Sequence, residues 1–422
     1  MLSMTPTHVH GRQRVRRFVT LLFAMAVALG VWHGFGTRVS AQAVDGTQPP
    51  VATVRLTFRV SPSPIVRATA WVLARGATPE ASAGVTSSVA VTPNLPDVDI
   101  RSIEVAADQA DVVIKSLASR IDIAWAERVA TVRKHGAAPV PASGPPLAPR
   151  SRPRNFEGNT PNDPAFADQW GLRFSTANAA WTTARALNLG TEVKVAVIDT
   201  GVQYDHPDLA TRMAPKSTWG RCETGTCKAY ASTDSTTFPV DDDGHGTHVA
   251  GIVAASTDDW VGVAGVAGDR PVSLIPVKVL DAAGSGTTDG VAAGIAWAVA
   301  KGAKVINMSL GGDTDTQTVN SAIDAATAAG VLVTVSGGNC GGLYYQNAGC
   351  KYQDEPDYPA AYAGTTAGAG KLIPVASITR TGALSSFSTQ ASYVATGIAA
   401  PGDLIYSTYK LSGYTTMSGT SM

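Results

Sequence analysis

Residues 193–198, Val-Lys-Val-Ala-Val-Ile, are the first of four short apolar runs, rich in valine and isoleucine, in the C-terminal part of the chain. The other three runs are residues 274–280, 304–308 and 331–335. Runs of this composition are typical of parallel strands that are buried on both faces. Helical patterns at 288–300 and 316–329 alternate with them, so the sequence predicts a doubly wound, mostly parallel α/β sheet with right-handed crossovers.

Three motifs place chemically active side chains along this pattern. Asp199 follows the first run in Asp-Thr-Gly, His245 begins His-Gly-Thr-His-Val-Ala-Gly, and Ser421 lies in Gly-Thr-Ser-Met. A serine hydroxyl attacks an amide only if a base takes its proton, and that base needs an acceptor that fixes its tautomer. The order Asp, His, Ser therefore predicts a nucleophilic hydrolase site at the carboxyl ends of the strands.

Other chemistries fit these residues less well. An aspartic-protease site built on Asp199 needs a second Asp-Thr-Gly or a dimer, and the sequence has one copy of the motif. His245 and His248 are three residues apart, but no glutamate stands between them in zinc-protease spacing. We therefore interpret His248 as a structural residue.

Residues 162–422 resemble the subtilisin-like serine proteases in these three motifs. Asn307-Met308-Ser309-Leu310-Gly311-Gly312, Gly338-Asn339 and Ala400-Pro401-Gly402 also match that family. The resemblance implies an Asp199-His245-Ser421 triad that hydrolyses peptide bonds in protein or peptide substrates through an acyl-enzyme, with no cofactor for catalysis. It assigns the oxyanion hole to the Asn339 side-chain amide and the Ser421 backbone N–H.

The resemblance also implies where a substrate would bind. We expect it to pair as an extra strand with two segments, which are Gly284, Ser285, Gly286 and Ser309, Leu310, Gly311. The pocket for the side chain before the scissile bond would be bordered by Leu310, Ser336, Gly337 and Gly338. Because no charged residue is evident there, we expect a preference for large apolar or aromatic side chains.

Three loop aspartates suggest a structural calcium site. Asp208 lies in His-Pro-Asp-Leu, Asp259 precedes Val261-Gly262-Val263, and Asp163 is a further candidate ligand. Hard oxygen ligands in loops suit calcium, and the subtilisin-like family commonly has a site in this region. The alternative is that three solvated aspartates never meet.

Composition and the N-terminus limit location and partners. Acidic and basic residues number 33 each, so no net charge attracts nucleic acid or an anionic membrane surface. Residues 1–41 have the pattern of a signal peptide, with arginines before the apolar run 18–31 and small residues for cleavage after Ala41 or Ala43. We expect a secreted monomer, extracellular or periplasmic, and the paired arginines leave twin-arginine export open.

Export would place the four cysteines in an oxidising compartment. Four cysteines allow three connectivities, and the pairs that are local in sequence are Cys222 with Cys227 and Cys340 with Cys350. Each bridge would close a short loop and act as a local staple.

A second module precedes the catalytic part. Alternating apolar residues predict a strand at 54–60, and the patterns at 108–120 and 121–132 predict a helix and another strand. The residues expected to face inward are Val54, Leu56, Phe58 and Val60 on the strand and Ala110, Val112, Val113 and Leu117 on the helix. This is a small α+β module.

The resemblance implies that residues 42–135 are a propeptide that inhibits its own protease. Trp125–Val129 would belong to its terminal strand. The proline-rich residues 136–161 form a linker, with maturation expected between Lys134 and Asn162, and the catalytic domain is 162–422.

In the family a long helix follows the nucleophile, whereas this sequence stops at Met422. The catalytic domain is therefore expected to be incomplete at its C-terminus. Two functions remain open on sequence grounds. One is a secreted endopeptidase with an incomplete sequence, and the other is a catalytically impaired remnant that acts as a binding or propeptide-chaperone module.

Overall fold

The structure is a computed structural model that describes residues 52–74, 76–135, 160–188, 190–230, 239–342, 350–365 and 370–422. These residues belong to one compact unit, Ala52–Met422. The predicted signal peptide and nearly all of the predicted linker lie outside the described residues. Within the described residues, no helix has the length and apolar character needed to span a membrane.

The helices and strands of the described residues follow the predicted alternation in the C-terminal part. The helices are α1 (Pro64–Leu73), α2 (Pro79–Ser82), α3 (Ala110–Ala118), α4 (Trp170–Phe174), α5 (Ala177–Ala186), α6 (His245–Ala254), α7 (Thr288–Ala300) and α8 (Gln317–Ala328). The strands are β1 (Thr53–Val60), β2 (Val89–Ala90), β3 (Asp99–Ala106), β4 (Ile123–Arg128), β5 (Thr131–Lys134), β6 (Val193–Asp199), β7 (Gly220–Arg221), β8 (Lys228–Ala229), β9 (Val272–Lys278), β10 (Ser285–Thr287), β11 (Val305–Met308), β12 (Leu310–Gly311), β13 (Leu332–Ser336), β14 (Ile373–Ile378), β15 (Ile398–Pro401), β16 (Ile405–Tyr409) and β17 (Gly413–Met417).

The central sheet has eight strands in the order β15-β14-β13-β11-β6-β9-β7-β8. Its neighbouring strands pair in parallel, except for β7 with β8. Strand β6 is buried on both faces: Val195 and Val197 pack in the cluster that contains α6 residues, and Ala196 and Ile198 pack with α7 and α8. The predicted doubly wound α/β fold is therefore confirmed.

The N-terminal module has a separate four-stranded antiparallel sheet in the order β2-β3-β1-β4. Most of the residues predicted to face inward on β1 and α3 are buried, but Val112 is 62% exposed, so that part of the helix prediction is wrong. The buried face of α3 is formed by Ala110, Val113 and Leu117. Their spacing of three and four residues defines one helix face, and Val112 lies off that face.

The predicted strand at 121–132 is divided in the structure. Strand β4 ends at Arg128 and pairs with β1 inside the module. Strand β5, Thr131–Lys134, leaves the module and pairs with β10 and β12 in a three-stranded sheet. Between the two strands, the Val129 N–H still donates to the Arg55 carbonyl of β1, whereas the Ala130 N–H donates to the Thr288 hydroxyl at the start of α7.

The module contacts the N-terminal ends of α7 and α8. Glu127 accepts hydrogen bonds from the backbone N–H groups of Gln317 (3.0 Å) and Thr318 (2.8 Å), where no side chain of the helix itself caps α8. A carboxylate at this position is favoured by both the unpaired N–H groups and the helix dipole. Arg55 forms an ion pair of 2.6 Å with the buried Asp289 in the first turn of α7.

Two disulfides join the cysteines as the sequence predicts. Cys222 is bonded to Cys227, and Cys340 is bonded to Cys350. The four cysteines are all paired, and the second bridge begins directly after Asn339.

The first prediction concerns the core of the central sheet. Ile306 on β11 is 0% exposed, so Ile306→Ala should lower the free energy of unfolding by about 2–5 kcal/mol through lost apolar contact and a residual cavity. Leu332→Ala, at a β13 position that is 48% exposed, is the control and should cost less than about 1 kcal/mol. Denaturant unfolding in a Ser421→Ala background measures both, and equal losses would contradict this packing.

The second prediction concerns the Cys340–Cys350 bridge. The double variant Cys340→Ala/Cys350→Ala should lose about 2–3 kcal/mol of unfolding free energy, because the bridge restricts the unfolded chain. The measurement is denaturant unfolding of the Ser421→Ala protein without reductant. The control compares the same double variant with its parent after the disulfides of both have been reduced. If the double variant loses as much unfolding free energy there, packing and not the bridge is responsible.

Candidate functional site

Asp199 and His245 are brought together at the carboxyl end of β6. The Nδ1 atom of His245 lies 2.8 Å from Oδ1 of Asp199, and both side chains are 0% exposed. The same carboxylate oxygen accepts the backbone N–H of Thr200 at 2.7 Å. Asp199 therefore fixes the imidazole with Nδ1 as the donor and leaves Nε2 as the acceptor.

A buried aspartate that the sequence analysis missed organises the start of α6. Asp241 accepts the hydroxyl protons of Thr200 (2.8 Å) and Thr247 (2.6 Å) and the backbone N–H groups of Gly244 and Thr247. These bonds tie the loop after β6 to the first turn of α6, on which His245 lies. The available signal was an aspartate shortly before a helix start, which is typical of helix caps.

Ser421 lies in a turn after β17 and is buried. Its hydroxyl donates to the backbone carbonyl of Ser309 at 3.2 Å, and the Ser309 hydroxyl donates to the Ser421 carbonyl at 3.0 Å. The Nε2 atom of His245 is buried and has no hydrogen-bond partner among the described residues. Of the predicted triad, Asp199 and His245 are thus joined by a hydrogen bond, and Nε2 of His245 remains available to accept the proton of Ser421.

Asn339 contacts a backbone carbonyl that comes from the N-terminal module. Its Nδ2 donates to the carbonyl oxygen of His135 at 2.9 Å, and its Oδ1 accepts the Thr420 backbone N–H and hydroxyl, each at 3.0 Å. Thr420 therefore holds the amide with its N–H₂ side toward His135. No hydrogen bond from the Ser421 N–H to this carbonyl occurs among the described residues, so one of the two predicted oxyanion donors makes the contact.

The predicted substrate segments form a cleft that strand β5 fills. On one side β5 pairs antiparallel with β10, with Arg133 opposite Ser285, and the Lys134 N–H donates to the Gly284 carbonyl at 2.9 Å. On the other side Lys134 pairs with Leu310 of β12. The other predicted substrate-binding residues also contact this segment. Gly286 pairs with Val132, and Gly311 pairs with Arg133. The Ser309 carbonyl accepts the His135 N–H at 3.3 Å.

The side chain of His135 enters the predicted specificity pocket. Its Nδ1 lies 2.8 Å from the Ser336 hydroxyl, and its Nε2 lies 2.7 Å from Oδ2 of Asp357. The expectation that no charged residue borders this pocket is wrong, because Asp357 was not recognised from sequence. It lies beyond the Cys340–Cys350 loop, and no motif connects it to the site.

The glycines of the pocket have different places. A Cβ atom at Gly338, where φ is +104°, would lie 3.0 Å from Oδ2 of Asp357, so the residue leaves room beside the carboxylate. Gly337 accepts a hydrogen bond from the Tyr393 hydroxyl at 3.1 Å and donates its N–H to Val375, which makes it part of the support behind the pocket.

His248 is fully buried away from this cleft. Its Nε2 donates to the Ile405 and Thr415 carbonyls at 3.1 and 3.2 Å. Burial, followed by the neighbouring His245, lowers the pKa of His248 to about 3, so the ring is neutral and ties α6 to β16 and β17. These contacts agree with the structural role that we predicted.

Two of the predicted calcium ligands have buried oxygen atoms without a partner. The Oδ1 atoms of Asp163 and Asp208 make no hydrogen bond among the described residues. Burial, with smaller contributions from neighbouring carboxylates, raises the pKa of Asp163 to about 6 and that of Asp208 to about 7. Asp259 is exposed and bonds to the Val261 N–H, and a cluster of all three carboxylates is not found in the described part of the chain. The orphaned oxygens of Asp163 and Asp208 suit a hard cation.

Comparisons with known proteins agree with this geometry. Residues 190–422, more than half of the chain, match the Subtilase family. Thermitase from Thermoactinomyces vulgaris is 40% identical over 264 residues, which cover 62% of this chain and 81% of thermitase. Subtilisin DY from Bacillus licheniformis is 38% identical over 237 residues, covering 55% of this chain and 73% of that protein. Thermostable alkaline protease from Halalkalibacterium halodurans is 36% identical over 253 residues, covering 60% of this chain and 58% of that protein.

The fold and the buried aspartate–histidine pair agree with these similarities. The chain belongs to the subtilase family and is a serine endopeptidase that acts on protein or peptide substrates.

Proposed function

We propose that the chain is an exported preproenzyme that hydrolyses peptide bonds through Asp199, His245 and Ser421. Its parts would be a signal peptide at 1–41, a propeptide at 42–135, a linker with the processing site at 136–161 and the catalytic domain at 162–422. The observation that carries this proposal is the carbonyl of His135, which accepts a hydrogen bond from Asn339 while β5 is paired in the cleft. A substrate carbonyl would take the same place.

The chemical steps follow from the buried pair. The Ser421 hydroxyl rotates from the Ser309 carbonyl toward Nε2 of His245, and its oxygen attacks the substrate carbonyl carbon as the proton passes to Nε2. Asp199 holds Nδ1–H and stabilises the imidazolium. The C–N bond then breaks and the imidazolium protonates the leaving amine. In the second half, a water molecule gives a proton to Nε2 as its oxygen attacks the ester carbonyl, and the imidazolium returns that proton to the Ser421 oxygen as the C–O bond breaks.

Asn339 would stabilise the oxyanion in this scheme. Its amide oxygen is held by two hydrogen bonds from Thr420, which do not involve the segment in the cleft, so the amide is oriented for donation to the developing charge. The Ser421 backbone N–H is the second proposed donor.

The N-terminal module would act as an intramolecular inhibitor. Its β5 lies in the cleft as a substrate strand would, and Glu127 and Arg55 attach the module to the N-terminal ends of α8 and α7. With the His135 carbonyl against Asn339, the bond presented for cleavage is His135–Gly136. Processing would therefore occur at this one bond, and the module would then be released from a secreted, monomeric protease.

The other function that the sequence left open, a catalytically impaired binding or chaperone module, is not favoured. Relatives of this chain include a thermostable alkaline protease and a thermophilic serine proteinase. The buried Asp199–His245 hydrogen bond and the contact of Asn339 with the His135 carbonyl also support the enzyme.

The third prediction tests the oxyanion role. Asn339→Ala should lower kcat by about 100- to 1000-fold, as the loss of one such donor does in related chemistry. KM should change little, because the donor acts mainly on the transition state. Steady-state hydrolysis of a peptide amide measures this effect. Asn320→Ala, on a partly exposed amide of α8, is the control, and unchanged turnover in Asn339→Ala would contradict the assignment.

The proposed calcium site would use Asp163 and Asp208, with Asp259 at its rim. A divalent cation would compensate the cost of keeping two buried carboxylates ionised. The cation would stabilise the loops that contain these aspartates and would take no part in catalysis.

The fourth prediction tests this site. Calcium at a hundredfold excess over its Kd should stabilise the protein by about 2.7 kcal/mol, and Asp208→Asn should abolish most of that gain. Because the pKa of Asp208 is raised to about 7, the variant should be no less stable than the parent in chelator at pH 8. Thermal unfolding of Ser421→Ala protein with calcium or chelator measures both effects. Asp205→Asn, at an exposed neighbour, should behave as the parent does, and an equal calcium response in Asp208→Asn would contradict the site.

A further inference from the structure

Strand β5 and the residue that follows it, His135, form the segment that lies in the cleft, and its last two side chains each contact a carboxylate. The Nε2 atom of His135, the residue before the presented bond, lies 2.7 Å from Oδ2 of Asp357. The Nζ atom of Lys134, one position earlier, lies 2.7 Å from Oδ1 and 2.5 Å from Oδ2 of Asp243. The two subsites nearest the bond are therefore both acidic.

Asp357 is built into its pocket. Its side chain is 7% exposed, and its backbone N–H donates to the Tyr393 hydroxyl at 3.2 Å. The Oδ1 atom has no hydrogen-bond partner among the described residues, so the contacts of this carboxylate are made by Oδ2 with His135. Neighbouring Gly311 and Gly338 have no side chains that would cover it.

Asp243 belongs to the loop that positions the catalytic histidine. Its side chain is 11% exposed, and Oδ1 accepts the His245 backbone N–H at 3.0 Å. The backbone of His245 thus fixes this carboxylate, and both of its oxygens also accept hydrogen bonds from the Lys134 ammonium.

We propose that this protease selects substrates with a cationic side chain at each of the two positions before the scissile bond, recognised by Asp357 and Asp243. The inference rests on the proposed function, because Asn339 and Ser421 define which bond is cut. It replaces the sequence-based expectation of an apolar or aromatic preference.

The physical reason lies in the cost of burying a carboxylate without a partner. An aromatic side chain in the pocket would exclude water from Asp357 and offer it no donor, which is strongly unfavourable. A guanidinium or ammonium group supplies several donors and an opposite charge. At the second position the effect should be smaller, because Lys134 remains 24% exposed and water screens the pair.

The fifth prediction uses four peptide aminomethylcoumarin amides, Val-Arg-Lys-Arg, Val-Arg-Lys-Phe, Val-Arg-Ala-Arg and Val-Arg-Ala-Phe. The native protease should cleave Val-Arg-Lys-Arg with a kcat/KM at least about 30-fold above Val-Arg-Lys-Phe, as expected for a buried charge pair. Asp357→Asn should reduce that ratio to near unity or below. At the position that Lys134 occupies, lysine should give a kcat/KM about 3- to 10-fold above that of alanine. Asp243→Asn should remove this preference, while the side-chain oxygen of the asparagine still accepts the His245 N–H.

Asp313→Asn is the matched control, since this carboxylate is 45% exposed and pairs with Lys351 outside the cleft. It should leave all four rates in the same order. A native preference for phenylalanine, or an arginine preference that survives Asp357→Asn, would contradict the proposal.

A second measurement leaves the pocket intact and changes the occupant. In the full chain, His135→Arg should be processed at least as fast as the parent, whereas His135→Phe should be processed at least tenfold more slowly. Equal or faster processing of His135→Phe would contradict the inference.

Labelling with a serine-directed fluorophosphonate distinguishes failure of the substrate preference from failure of the proposed function. Labelling at Ser421 together with a phenylalanine preference would refute the inference and leave the proposed function intact. Absence of labelling in the processed native protein would refute the proposed function, and the inference would fall with it.

Discussion

The arrangement of the site depends on one set of backbone hydrogen bonds, those that pair β5 with β10 and β12. They fix the register of the segment, because a shift by one residue would turn every side chain to the opposite face. In the observed register the Lys134 N–H meets Gly284, and the His135 N–H meets Ser309. The carbonyl of His135 then reaches Asn339, and the side chains of Lys134 and His135 reach Asp243 and Asp357.

The central sheet makes these contacts converge. Asp199 ends β6, Ser309 follows β11, and Ser336 ends β13, so residues distant in sequence meet at the carboxyl edge of parallel strands. The edge is rigid because both faces of β6 are covered by helices. A loop-borne site would hold the aspartate–histidine pair less tightly than this buried edge does.

Much of this could be predicted from sequence, since the fold depends on apolar runs and the hydrolase site on short motifs with fixed chemistry. Helix α7 begins and ends where its pattern does, and both disulfides follow from proximity in sequence. Asp357 could not be predicted, because its role depends on tertiary placement. The departure of β5 from its module could not be predicted either, since a strand pattern does not identify its partner.

The central claim is that the module presents the His135–Gly136 bond to Ser421. The most direct measurement is the mass and C-terminal residue of the N-terminal fragment released when the full chain matures, with Ser421→Ala as the uncleaved reference. The account predicts a fragment that ends at His135 and is absent from Ser421→Ala. A fragment ending at any other residue, or one released equally from Ser421→Ala, would contradict it.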